Sequence, residues 1–104
     1  MSWATTCTSP MQNELRMARE AIKHAVDLFG QVRSKSHLAV ALRTLGEVTA
    51  AGAWGPGHEG KAIDYFMRSV ALSKEIGNEI EVARSYYAFS AYVMGSEHYM
   101  NNAD

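Results

Sequence analysis

The sequence predicts an all-α protein of about four helices, arranged as antiparallel hairpins stacked on one another. Three observations predict it. Helix formers are frequent and only two prolines occur, Pro10 and Pro56, near predicted element ends. Apolar residues recur at alternating steps of four and three along most of the chain. The chain also nearly repeats itself. Shifted by 44 residues, Ala18, Ile22, Ala25, Leu28 and Val32 fall on Ala62, Phe66, Ser69, Leu72 and Ile76, and Ala39, Leu42 and Leu45 fall on Ala83, Tyr86 and Phe89. Self-similarity at such a period marks a unit that buries its apolar face against its own neighbour copy.

The first helix is predicted over 10–32. Ser9 serves as N-cap, Pro10 suits the first helical position and Gln12 completes a capping box. Met11, Leu15, Ala18, Ile22, Ala25, Phe29 and Val32 form its apolar seam. After the polar break at Ser34 to Ser36, the second helix is predicted over 36–51, with Leu38, Ala41, Leu42, Leu45 and Val48 turned inward. Gly46 lies inside it, where glycine costs about 1 kcal/mol relative to alanine. Close approach by a neighbouring helix would offset that cost.

Residues 52–60 hold four glycines and Pro56 around Trp54 and are predicted to be a loop. The third helix is predicted over 58–76, with Ala62, Ile63, Phe66, Val70, Leu72 and Ile76 inward and Gly77 as its left-handed C′ residue. Asn78 then caps a fourth helix over 78–94, with Glu81 as box partner, and Gly95 ends it. That helix presents Ile80, Ala83, Tyr86, Phe89 and Val93. Residues 1–9 are expected to be a flexible leader, 10–95 the folded domain and 96–104 a polar tail. Short connections between helices make antiparallel neighbours.

The 104 residues amount to one small domain, and 47% hydrophobic content supplies a packed core. A net charge of −1 gives no field that would draw nucleic acid or an anionic membrane. Cys7 is the sole cysteine, so no internal disulfide exists, and no signal-peptide pattern opens the chain. A cytoplasmic location is the expectation. His24, His37, His58 and His98 show no zinc spacing, and Gly60-Lys61-Ala62 lacks the hydroxyl of a phosphate loop. Glu14, Glu20, Asp27, Asp64 and Glu81 are expected on solvent faces. No catalytic group, metal or cofactor is expected.

In two registers, the chain resembles the tetratricopeptide repeats (TPR), in the longer-period form found in regulatory and signalling proteins. The residues that carry the resemblance are Leu42-x-x-Leu45-Gly46, then Ala62-x-x-x-Phe66 with Leu72 closing the hairpin. The link Ser73-Lys74-Glu75-Ile76-Gly77-Asn78 followed by Ala83 adds to it. It spans roughly residues 18–93. The second copy departs with Phe89-Ser90 for Leu45-Gly46, and the Trp54 loop lengthens the period.

The resemblance implies a right-handed α-solenoid segment in which helices one to four take the roles B, A, B, A. Only the hairpin of helices two and three would be a whole repeat. It implies a non-catalytic module that binds a protein or peptide partner, an adaptor or scaffold inside a larger regulatory protein. The alternative is a homo-oligomerisation or domain-swap module that completes its repeats across a dimer.

Carried over residue by residue, the family's groove falls on Val40, Arg43, Thr44 and Glu47, and on Arg84, Tyr87, Ala88 and Ala91. Arg43 and Arg84 would grip a carboxylate or phosphate there. The alternative for Arg43 is an ordinary i,i+4 pair with Glu47. The widowed outer helices imply interface flanks at Leu15 and Ile22, and at Tyr86, Phe89, Tyr92 and Val93, although these aromatics also suit packing on helix three. Trp54 is either a lid on the hairpin or an anchor for a partner.

Overall fold

Among the described residues four helices follow one another without strands: α1 (Pro10–Gln31), α2 (Lys35–Ala51), α3 (His58–Glu75) and α4 (Glu79–Asn102). The computed structural model describes residues 10–52 and 57–102, and the side chains within 13–52 and 57–95. Trp54, Cys7, the Ser9 cap and its Gln12 partner, and the leader at 1–9 therefore lie outside the described residues or side chains. The first three helices match the predicted ones to within a residue. The fourth does not stop at Gly95 but continues to Asn102, so most of the expected tail is helical. Glycine lowers helix stability by about 1 kcal/mol without breaking the hydrogen-bond ladder, and no proline follows to break it.

The two short connections are built alike. At the end of α3, Gly77 takes φ +72°, the Asn78 N–H reaches the Ser73 carbonyl at 2.9 Å, and the Gly77 N–H reaches that of Lys74 at 3.1 Å. This is a Schellman cap. At the end of α1, Arg33 takes φ +58°, with Ser34 N–H to Phe29 at 3.0 Å and Arg33 N–H to Gly30 at 3.2 Å. Arg33 and Ser34 stand 44 residues before Gly77 and Asn78, so the sequence echo is also an echo of backbone geometry. The first bonds of the next helices repeat it too, Leu38 N–H to Ser34 at 2.9 Å and Val82 N–H to Asn78 at 3.0 Å. Asn78 caps α4 as expected, accepting the Glu81 N–H at 3.1 Å.

The helices pack in series. α1 lies against α2, α2 against α3, α3 against α4, and α2 also against α4. Among the described residues α1 touches neither α3 nor α4, so the four do not close into a bundle. The molecule measures 48 × 36 × 20 Å, about two helix diameters thick. The fully buried apolar residues come from α2 and α3: Ala39, Ala41, Leu42, Leu45, Ala62, Phe66 and Val70. Among its described side chains α1 buries none fully.

Gly46 shows why a glycine stands inside α2. A Cβ there would lie 2.8 Å from the Phe66 ring, so its absence lets the ring seat against the α2 backbone. Phe89 meets the same ring edge-on at 6.4 Å and Tyr92 at 6.3 Å. Ile63, expected inward, is more than a third exposed, while Ser69 and Ser73 on the same helix are fully buried.

Candidate functional site

The polar interior sets the geometry around the site. Glu81, expected on a solvent face, is 1% exposed. Its backbone follows the Asn78 cap, which turns the side chain toward α2, where the Arg43 Nε donates to Glu81 Oε2 at 2.5 Å. Arg43 also donates to Glu47 at 3.2 Å, and Arg84 reaches the other Glu81 oxygen at 3.9 Å. The network continues inward. The Ser69 hydroxyl donates to the Ala39 carbonyl at 2.7 Å, so Ser85 is the donor in the 2.8 Å bond between Ser85 and Ser69, and the Ser85 oxygen lies 3.4 Å from Glu81 Oε2. A buried carboxylate is tolerated only with such partners. Three helices are thus tied by one polar chain running from Ala39 to Glu47.

Beside this chain lies a cleft of about 780 Å³. The end of α2 supplies Glu47, Ala50 and Ala51, the start of α3 supplies His58 and Glu59 with Phe66 beneath, and α4 supplies Tyr87, Ala88, Ala91, Tyr92 and Gly95. Small alanines on α2 and α4 hold the walls apart, and Phe66 forms an aromatic floor. His58 Nδ1 and Glu59 pair at the mouth at 3.1 Å. Burial raises the Tyr92 phenol above its ordinary pKa of 10.0, and the Glu59 charge adds to the rise. Tyr87, 77% exposed, stands as a free aromatic wall.

The predicted groove divides. Glu47, Tyr87, Ala88 and Ala91 come together in the cleft, whereas Val40, Arg43, Thr44 and Arg84 do not line it. Arg43 is no free cation for a ligand, because Glu81 and Glu47 already hold its guanidinium. The Thr44 hydroxyl is turned back to the Val40 carbonyl at 3.0 Å. Arg84 is exposed beside Glu81.

The expected flanks divide as well. Tyr86 is exposed, with Lys74 Nζ 5.5 Å above its ring. Phe89, Tyr92 and Val93 are half-buried, the first two against Phe66, because α3 already covers that side of α4. Leu15 and Ile22 are half-buried against α2, while Met17, Leu28 and Val32 are exposed large apolar residues on α1. Sequence reasoning missed Ala50, Ala51, His58, Glu59, Phe66 and Gly95 as cleft residues. The first five follow from the packing of α2 on α3, which sets the end of one helix beside the start of the other.

Among the described residues no group of three or more His, Cys, Asp or Glu is placed to hold a metal ion, and no helix is long and apolar enough to cross a membrane. No protein-family model matches the chain, and no curated protein or solved structure shows significant similarity to it.

Proposed function

We propose that the chain is a helical-repeat module of tetratricopeptide type that binds a protein partner through the cleft between α2, α3 and α4. Two features support the repeat reading. The same Schellman junction recurs 44 residues apart. The packing runs in series, with α2 against α4 and α1 against α2 alone, as an open stack rather than a closed bundle. In that reading α2 and α4 take the A roles and carry the binding face, and the module serves as an adaptor within a larger regulatory protein.

The cleft carries the functional half of the proposal. It is largely apolar, it is walled by the exposed Tyr87, and it gathers the part of the predicted groove that is free to meet a ligand. Exposed tyrosine beside a concave apolar surface is the composition of a binding hot spot. The described lining offers no Ser, Thr or Cys nucleophile beside the His58–Glu59 pair, which favours binding over catalysis. The partner inserts an apolar or aromatic side chain. The carboxylates of Glu47 and Glu59 at the rim favour neutral or basic residues flanking that anchor, not the acidic group that free arginines would have taken.

The test is selection of a random displayed-peptide library on the wild-type protein and on Ala91→Trp, which fills the cleft from an exposed position. Enriched peptides share an apolar anchor and lose at least tenfold in affinity on Ala91→Trp. Peptides that bind both proteins equally, or no enrichment at all, defeat the proposal.

A further inference from the structure

The 44-residue register allows each outer helix to be compared with an inner one that plays the same part. On α2, Ala39 and Gly46 face α3: Ser69 donates to the Ala39 carbonyl, and the Phe66 ring seats on Gly46. Their counterparts on α4, Ala83 and Ser90, are exposed, as is Tyr86, the counterpart of the buried Leu42. On α3, Ala62, Phe66 and Ser69 are buried. Their counterparts on α1 are Ala18, which is exposed, and Ile22 and Ala25, which are half-buried. Leu28 and Val32 beside them are also exposed. α4 therefore lacks the neighbour that α3 gives α2, and α1 lacks the neighbour that α2 gives α3.

We propose that these two open faces are each other's partners in a second copy of the chain, α4 of one molecule seating against α1 of the next as α2 seats against α3. The side chains fit that exchange. The inner pair sets a glycine against a phenylalanine, and the outer pair sets Ser90 against Ile22, a slightly larger small residue against a smaller large one. Ala83 then meets Ala25 where Ala39 meets Ser69.

The surface chemistry agrees. From Ile80 to Gly95 the only charged side chains are Glu81, which is buried, and Arg84. From Ile80 to Met94 the exposed residues of α4 are Ile80, Ala83, Arg84, Tyr86, Tyr87, Ser90, Ala91 and Met94, of which Tyr87 and Ala91 also line the cleft. Depletion of charge with tyrosine and methionine in its place is the composition of an interface core, not of a solvated helix. The opposing face of α1, with Met17, Ala18, Ala21, Leu28 and Val32, is apolar as well.

The contact is heterologous, so it propagates head to tail unless it closes into a ring. The matched strip, residues 18–32 on α1, is about 22 Å long. One helix-wide strip of that length is smaller than the roughly 800 Å² per partner of a standard interface. The association is therefore weak and grows with concentration. It rests on the repeat register and not on the ligand of the cleft, and the residues tested here do not line that cleft.

Two blocking variants decide it. Ala18→Arg closes the α1 face and Ser90→Arg closes the α4 face, both from exposed positions. By light scattering, the wild type passes beyond two copies of its 11.5 kDa chain as concentration rises. Each variant alone stays monomeric, with at least tenfold weaker association, and the equimolar mixture stops at twice the monomer mass, because each variant retains the face the other lacks. A wild type that stays monomeric, a variant that still assembles alone, or a mixture that stays monomeric overturns the proposal. Leu28→Glu and Tyr86→Glu make the same two blocks should either arginine variant lose helicity.

Discussion

Replacing Gly46 by alanine tests the seat of Phe66 directly. Alanine inside a helix gains about 1 kcal/mol over glycine through propensity. At this position the added Cβ meets the Phe66 ring at 2.8 Å, against an ordinary contact of 3.4–4 Å. The ring is 1% exposed and is held on its other sides by Phe89 and Tyr92, so it cannot swing away. Overpacking of this kind costs about 1–3 kcal/mol. The expected net effect of Gly46→Ala is a loss of about 1 kcal/mol, a fall in Tm of about 4–8 °C for a domain of this size. Gly95→Ala is the control. Gly95 lies inside α4, and its added Cβ meets nothing within 4 Å, so the variant gains up to about 1 kcal/mol. Urea unfolding followed by far-UV circular dichroism measures both, and an unchanged m value shows that stability alone has moved. Phe66→Leu added to Gly46→Ala should cost less than Phe66→Leu alone, with coupling above about 0.5 kcal/mol. Should Gly46→Ala match or exceed the wild type, the ring is not seated on the α2 backbone and the packing argument fails.

Other changes have equally definite signs. Arg43→Met removes the close partner of the buried Glu81 carboxylate and costs about 3 kcal/mol, Glu81→Gln costs less because Glu47 still holds Arg43, and the double variant costs clearly less than the sum, as a thermal-melt double-mutant cycle would show. Ser69→Ala removes the link between Ala39 and Ser85 and destabilises by about 1–3 kcal/mol, whereas Thr49→Val, which replaces a buried hydroxyl without a partner, is neutral or stabilising. Arg33→Gly relieves a left-handed backbone and stabilises by about 1 kcal/mol in the same urea assay. The raised pKa of Tyr92 keeps the folded state protonated when the unfolded chain ionises, so its contribution is intact below pH 10.0 and is lost as pH rises through the folded value. Tm measured from neutral to strongly alkaline pH should fall less steeply above that point for Tyr92→Phe than for the wild type.

The helices were legible because their apolar period, the Gly77 cap and the glycine-rich turn are local signals. The register was legible too, and through Gly46 it foretold a close helix approach. Glu81 was not. Its sequence position is that of a capping-box carboxylate in the first turn of α4, and only the arrival of Arg43 from α2 makes its burial tolerable. The same event removed Arg43 from the binding face, an outcome that no spacing within either helix records. Arg33 was missed for a related reason: glycine announces a left-handed cap, and an arginine in the same place does not. The cleft depends on where the ends of α2 and α3 stand relative to α4, which is a property of three elements together.

The polar character of the interior also governs how the protein responds to temperature. Thr49, Ser69, Ser73, Glu81 and Ser85 are buried alongside a core in which alanine recurs. Exposing apolar surface raises the heat capacity of the unfolded chain, and exposing polar surface lowers it. Unfolding here releases both, so the heat-capacity increment per residue should fall below the usual ~12–15 cal/mol/K. A small increment flattens the stability curve: the fold gains little on mild cooling, loses little on strong cooling, and holds a shallow maximum across a wide span of temperature.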